Sequence, residues 1–195
     1  MRKDGIPAEC RESAQTGPRS LRRLLRILAL LLAAFALFSA VWYVTAYRPY
    51  DAYVEALRAQ PGWREDLGFP ECGVDGEGYT CNVARPSFLH WTGNLGIGLP
   101  SLVLENGEEI IFTDSLLIWP GTGGEMELGV LLYEYDFQED GVNCTAHQLY
   151  ITPEGDYIPY GEDPAEDTAN EALLAVHREN VEMLLSRARE IWGRS

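Results

Sequence analysis

Apolar and polar positions divide this chain into three regions. Residues 1–20 are polar and broken by Gly and Pro, residues 27–46 form a run of 20 residues without a charge, and apolar and polar residues interleave from there to the C-terminus. A helix of about 20 residues rises about 30 Å, the thickness of the hydrocarbon core of a bilayer. The pattern predicts a tail at residues 1–23, a transmembrane helix at 24–47 and one folded domain at 48–195.

Flanking residues give the predicted span a direction. Three arginines lie just before the apolar run and one lies just after it: Arg22, Arg23, Arg26 and Arg48. Because basic flanks stay in the cytoplasm, we expect a single-pass protein of the cell membrane with a cytoplasmic tail and an extracytoplasmic domain. Trp42, Tyr43 and Tyr47 gather at the outer end of the run, where an aromatic belt belongs.

A cleaved signal peptide is the alternative to a retained anchor. Val44-Thr45-Ala46 resembles a small-residue cleavage site, and cleavage near Ala46 would release a secreted form. The apolar run is longer than the roughly 7–15 residues usual in a signal peptide. Trp42 and Tyr43 are also bulky for the segment before a cleavage site. The retained anchor is preferred, and both alternatives place the domain outside the cytoplasm.

The domain begins with a short predicted helix and continues as strands. Tyr50, Tyr53, Val54 and Leu57 fall on one face of a helix that Pro61-Gly62 ends. Alternating or apolar runs then predict strands at residues 79–84, 116–119, 126–137, 142–152 and 157–160, separated by turns rich in Gly, Pro and Asp.

Asn106-Gly107 lies between two apolar runs and is the strongest hairpin signal in the chain. Both central residues of a type I′ turn need positive φ, which Asn and Gly adopt most readily. A two-residue loop there would pair Leu104 with Glu109 and Val103 with Ile110. Successive hairpins predict an antiparallel meander.

An amphipathic helix is predicted at the C-terminus. Asp163-Pro164 with Glu166, or Thr168 with Glu171, offers a capping box at its start. An apolar stripe runs from Leu173 to Trp192, and Gly193 follows the last turn. Laid across one face of the strands, this helix completes an α+β fold. That fold has one N-terminal transmembrane helix, then an antiparallel β-meander of about 5–7 strands packed against a C-terminal α-helix.

Charge is as unevenly placed as hydropathy. Residues 1–26 carry seven basic against three acidic side chains, whereas residues 48–195 carry eight Arg against 27 acids, a balance of −19. Such a domain repels nucleic acid and favours a basic protein or another envelope partner. The membrane is the further partner, through the N-terminal helix, and the sequence does not give the oligomeric state.

Cysteine positions predict one crosslink in an oxidising compartment. Cys72 and Cys81 flank the Gly-rich segment 73–80, which is flexible enough to let them meet in a disulfide. Cys81–Cys144 is the alternative pairing, and either one leaves a thiol over.

Signatures of catalysis, cofactors and metals are not found in the sequence. His90, His147 and His177 lack the local spacing of a zinc site. The Gly-rich segments 93–98 and 121–124 match neither a P-loop nor a dinucleotide fingerprint. We therefore assign no catalytic, cofactor-binding or metal-ligating residue.

Aromatic residues near Gly and Pro are the remaining candidates for a site. Phe88, Trp91 and Trp119 are predicted on loops or strand ends, where they would face a ligand unless they belong to the core. The preferred function is a membrane-anchored, non-enzymatic extracytoplasmic module that binds a protein or envelope ligand. The alternative is a membrane-anchored hydrolase, which would need a deep cleft with paired carboxylates.

Overall fold

Helices at both ends of the chain enclose a central series of strands. The computed structural model describes residues 18–66, 68–69, 71–103, 107, 109–110, 112–121, 126–138, 141–160 and 163–193. The helical elements are α1 (Pro18–Trp42), a π-helical turn (Tyr43–Tyr47), α2 (Tyr50–Arg58), α3 (Pro164–Val176) and α4 (Arg178–Trp192). The strands are β1 (Arg64–Glu65), β2 (Cys72–Val74), β3 (Thr80–Ala84), β4 (Asn94–Gly98), β5 (Leu102–Val103), β6 (Glu109–Ile110), β7 (Ser115–Pro120), β8 (Met126–Gln138) and β9 (Gly141–Ile151).

Two compact units make up the chain, Met1–Val41 and Trp42–Ser195. In the first, α1 exposes apolar side chains along its length, as Leu30 and Leu37 illustrate. Helical residues Leu21–Tyr47 are long and apolar enough to cross a membrane, a property that a signal sequence shares. The boundaries of tail, span and domain stay predictions, and most of the predicted tail lies outside the described residues.

Seven strands of the second unit form one antiparallel sheet in the order β1-β2-β3-β4-β7-β8-β9. Hairpin β5–β6 is inserted between β4 and β7 as a separate two-stranded sheet. The predicted α+β fold is confirmed. Alternate residues of neighbouring strands point to one face and are buried, including Val83, Leu95, Leu116, Val130 and Leu149.

Helices α2 and α4 cover that buried face. Leu57 of α2 and Val181 and Leu184 of α4 join the core that the strands supply. The Asp163 side chain accepts a hydrogen bond from the backbone of Ala165, and Gly193 ends α4 with φ of 61°. Both predicted helix-terminal residues are therefore confirmed.

Three local predictions differ from the structure. The C-terminal helix is two helices, because His177 departs from helical geometry at φ −94° and ψ 10°, and its ring bonds to Asp114 instead. Hairpin β5–β6 pairs Val103 with Glu109, one residue from the predicted register, and Gly107 has the positive φ of 85°. The strand expected at residues 157–160 makes a single bridge, from Tyr157 to Ile151.

Strand register determines which residues share an end of the sheet. Ala84 pairs with Asn94, and Leu95 with Ile118, so the end of β3 lies beside the start of β4 and the end of β7. We call this the near end of the sheet. Gly93 at this end donates its backbone N–H to Tyr50 Oη at 2.9 Å. The opposite, far end has Gly98 paired with Ser115 and Ser115 paired with Leu131.

The hairpin β8–β9 continues beyond the far end. Residues 132–138 of β8 pair with residues 141–147 of β9 after the pairing of β8 with β7 has ended. We call this extension the arm. Strand β9 is also an edge of the sheet, and Ile158 bonds to it at Tyr150. Among the described residues, no main-chain hydrogen bond reaches the outer edge of β9 along the arm.

Candidate functional site

A cleft of about 530 Å³ opens at the far end of the sheet. Its apolar walls include Leu99, which follows β4, Leu102 of β5, Tyr133 and Tyr135 on the arm, and Met183 on α4. The volume falls within the range of about 300–1,000 Å³ typical of ligand sites, and such sites are mostly apolar with a few placed polar groups. The cleft is therefore the candidate site in the described part of the chain.

Asp114 supplies a polar floor for the cleft. This residue is 5% exposed, and its Oδ1 accepts the backbone N–H of Tyr133 at 2.9 Å. Its Oδ2 accepts from Asn180 Nδ2 at 2.7 Å and lies 2.6 Å from His177 Nδ1. One carboxylate thus joins the arm to the start of α4.

The same hydrogen bonds orient His177. Nδ1 of His177 lies 2.6 Å from Asp114 Oδ2, which leaves Nε2 as the ring nitrogen that Asp114 does not engage. Because Asp114 already receives three donors, its carboxylate is a positioning group rather than a free ligand. The break between α3 and α4 is what brings the His177 ring to this place.

Hydroxyl groups add donors to the cleft. Thr113 Oγ1 donates to the carbonyl of Leu99 at 2.7 Å, which fixes the two segments that flank β5 and β6. Burial raises the pKa of Tyr135 to about 12, and neighbouring Cys144 raises it further. Burial also raises the pKa of Tyr133. Both phenols therefore stay neutral near pH 7 and present O–H groups in an apolar setting.

The rim of the cleft is apolar and exposed. Leu102 and Met183 line the cleft and are 52% and 40% exposed, and the ring centroid of Phe112, which is 57% exposed, lies 6.1 Å from that of the cleft residue Tyr133. Residues 48–195 carry a net charge of −19, so an exposed patch of apolar side chains contrasts with the rest of this acidic surface. Exposed apolar patches beside a cavity mark interaction sites.

The three sequence-predicted aromatic residues lie at the near end and not in the cleft. Phe88 stacks on Trp42 with ring centroids 4.2 Å apart, and Trp91 follows on the same loop. Trp119 lies over Gly129, where a Cβ would come within 2.9 Å of its ring. A ligand for these residues stays a prediction.

The structure records Cys72, Cys81 and Cys144 as free thiols. Cys72 pairs with Asn82 and Cys81 pairs with Gly73, so the two thiols lie on opposite faces of the β2–β3 pair. The predicted Cys72–Cys81 disulfide stays a prediction, and forming it would require a local shift of register.

The alternative pairing of Cys81 with Cys144 is wrong. Strands β4, β7 and β8 separate β3 from β9, which places the two cysteines at least about 19 Å apart at about 4.8 Å per strand. A disulfide needs Cα atoms within about 7 Å.

A second buried polar cluster lies elsewhere in the core. Asp75 and Arg187 pair at 2.7 Å between Oδ2 and Nη2, with side chains 0% and 9% exposed. Asp75 Oδ1 also accepts the backbone N–H groups of Glu77 and Tyr79. This cluster fastens α4 to the turn before β3. Within the described residues, no group of three or more His, Cys, Asp or Glu is placed to hold a metal ion.

Comparison with known proteins gives no matching family model, no matching curated protein and no matching solved structure.

Proposed function

We propose that this chain is a single-pass, membrane-anchored module that holds residues 48–195 outside the cytoplasm and binds a basic protein segment there. The exposed apolar rim around the far-end cleft is the observation that supports a binding role. An apolar side chain of the partner would enter the cleft, while its basic residues would meet the surrounding acidic surface. The apolar helix and its basic flank support the anchor.

A hydrolase with paired carboxylates has less support. Asp114 is the single carboxylate among the described residues that line the cleft. Its oxygens already accept from Tyr133, His177 and Asn180, so it is not free to activate water. No observation favours the enzymatic alternative over binding.

Protease shaving of intact cells tests the topology. We expect external protease to remove the domain and leave a membrane-bound fragment of tail and anchor. Protection of the full-length chain would contradict an extracytoplasmic domain. A soluble protein that begins near Tyr47 would show cleavage, and the anchored module would then be replaced by a secreted one.

Peptide binding tests the cleft. The full chain in lipid nanodiscs is titrated with a labelled peptide of Lys and Leu, a Glu and Leu peptide, and a Lys and Ser peptide, and binding is measured by fluorescence anisotropy. Of the three peptides, only the Lys and Leu peptide is expected to bind, because it combines positive charge with apolar side chains.

Two matched variants localise the binding. Met183→Glu places a charge in the cleft wall, whereas Val176→Glu places one on an 81% exposed apolar residue that does not line the cleft. Loss of one buried apolar contact of about 1.5–3 kcal/mol corresponds to roughly 10–100-fold weaker binding for Met183→Glu. Equal affinity of the two variants, or no binding by any of the peptides, would sink the proposal.

A further inference from the structure

The loop between β3 and β4 exposes apolar side chains at the near end of the sheet. Leu89 is 89% exposed, and Phe88 and Trp91 on either side are 46% and 44% exposed. Among the described residues, Leu89 is the most exposed large apolar side chain. Three exposed, large apolar side chains within four positions are unusual on a protein surface that faces water.

This loop is fastened to the last residues of the candidate membrane span. Trp42 is 8% exposed, and its ring stacks on Phe88 at an interplanar angle of 23°. At the start of the loop, the Arg85 guanidinium lies over the Tyr47 ring, 4.7 Å from its centroid. Trp42 and Tyr47 both belong to the span Leu21–Tyr47, so the loop packs where that span ends.

Charge on the loop differs from the rest of the domain. Residues 78–104 contain no Asp or Glu, although the domain as a whole has a balance of −19. The one Arg of the loop, Arg85, is neutralised by Glu71 at 2.7 Å and by Asp51. The exposed tip, residues 87–91, therefore carries no Asp, Glu, Lys or Arg, which removes the local repulsion that acids would exert on anionic headgroups.

We propose that the tip of this loop, residues 87–91, inserts into the headgroup region of the membrane that the apolar helix spans. Phe, Leu and Trp side chains of interfacial segments bury about 5–10 Å at the boundary between headgroups and acyl chains. The bilayer is the occupant because Trp42 and Tyr47 lie at that boundary when the helix spans, and Phe88 is in contact with Trp42. Insertion would hold the near end of the sheet at the membrane and would leave the far-end cleft facing away from the membrane.

This inference rests on the proposed anchor, so its test separates the two. The full chain, with Cys10, Cys72 and Cys144 changed to Ser, is placed in phosphatidylcholine vesicles. A polarity-sensitive NBD probe is attached through Leu89→Cys or, in the control, through Val176→Cys. Both positions hold exposed aliphatic residues, and Val176 lies at the end of α3, next to His177 of the far-end cleft. Quenching by nitroxide-labelled lipid and the emission maximum are measured.

Quenching at position 89 is expected to exceed quenching at position 176 at least about twofold, with emission shifted to the blue. Equal quenching in vesicles that carry the protein on flotation would overturn loop insertion and leave the anchor intact. It would mean that the loop faces water or awaits a protein. Failure of the chain to float with the vesicles would overturn the anchor itself and the insertion with it.

Discussion

Replacing Asp75 with Ala tests whether the buried ion pair holds α4 onto the sheet. The substitution leaves the Arg187 guanidinium, whose side chain is 9% exposed, without its buried partner. It also leaves the backbone N–H groups of Glu77 and Tyr79 without their acceptor. Two kinds of loss therefore act together, an unpaired charge and two unsatisfied donors.

The loss of stability depends on the carboxylates that stay near Arg187 after the substitution. Removing one partner of a buried ion pair costs about 3–5 kcal/mol. The exposed carboxylates of Glu77 and Glu190 still lie 3.2 and 2.7 Å from Arg187 Nη1, so the lower part of that range is expected. At about 2–4 °C per kcal/mol for a unit of this size, a loss of about 3 kcal/mol lowers Tm by about 6–12 °C.

The assay is thermal unfolding of the full chain in detergent, followed by near-ultraviolet circular dichroism. The matched control is the double variant Asp75→Ala with Arg187→Met, which removes the orphaned charge and keeps an apolar side chain of similar length. Replacement of a whole buried pair is often nearly neutral. We therefore expect the double variant to regain part of the stability that Asp75→Ala loses.

Two outcomes would refute this reasoning. The free energy of unfolding of Asp75→Ala could lie within about 1 kcal/mol of that of the parent, which would mean that the pair contributes no more than a surface ion pair. Alternatively, the double variant could be no more stable than Asp75→Ala. In that case the unsatisfied backbone donors, and not the orphaned charge, would account for the loss.

Two further predictions concern a thiol and the cleft floor. Burial, with the charge of Asp75 adding to it, raises the pKa of Cys81 to about 12, so at pH 8 only about 10⁻⁴ of this thiol is thiolate. Mass spectrometry after iodoacetamide treatment should show that exposed Cys144 is modified and that Cys81 is spared until the protein unfolds. Equal rates of modification at the two cysteines would contradict this. Asp114→Ala removes the acceptor of the Tyr133 amide and the partner of the His177 and Asn180 side chains. We therefore expect the free energy of unfolding to fall by about 1–3 kcal/mol and the Tyr133 amide to exchange faster, and unchanged exchange would show that Asp114 does not hold the arm.

Elements with a strong local signal were predictable from the sequence. The apolar run gave the N-terminal helix, and Asp163 and Gly193 marked the ends of the C-terminal helical region because capping depends on residues next to one another. The break at His177 was missed, since it depends on Asp114, which is 63 residues away. The register of β5–β6 was off by one, because Asn-Gly indicates a turn but permits more than one loop length.

The candidate site was harder to predict, because its parts are far apart in the chain. The cleft joins residues between β4 and β5, on the arm and on α4, and no local motif links these segments. Arg187 did carry a signal, since it interrupts the apolar stripe of α4, as a buried and paired charge would. Phe88 and Trp91 are exposed in the structure, whereas the stacking of Phe88 on Trp42 needed the tertiary structure.

The uncovered outer edge of β9 along the arm has a consequence for how copies of this chain associate. Residues 141–147 contain no Asp, Glu, Lys, Arg or Pro, the residues with which proteins usually blunt such an edge. With the proposed anchor, copies would be confined to one membrane and would meet by diffusion in a plane, so their local concentration would rise steeply with expression level. We expect overproduction to drive strand-to-strand association through this edge, and a Lys at Thr145 to suppress it without altering the core.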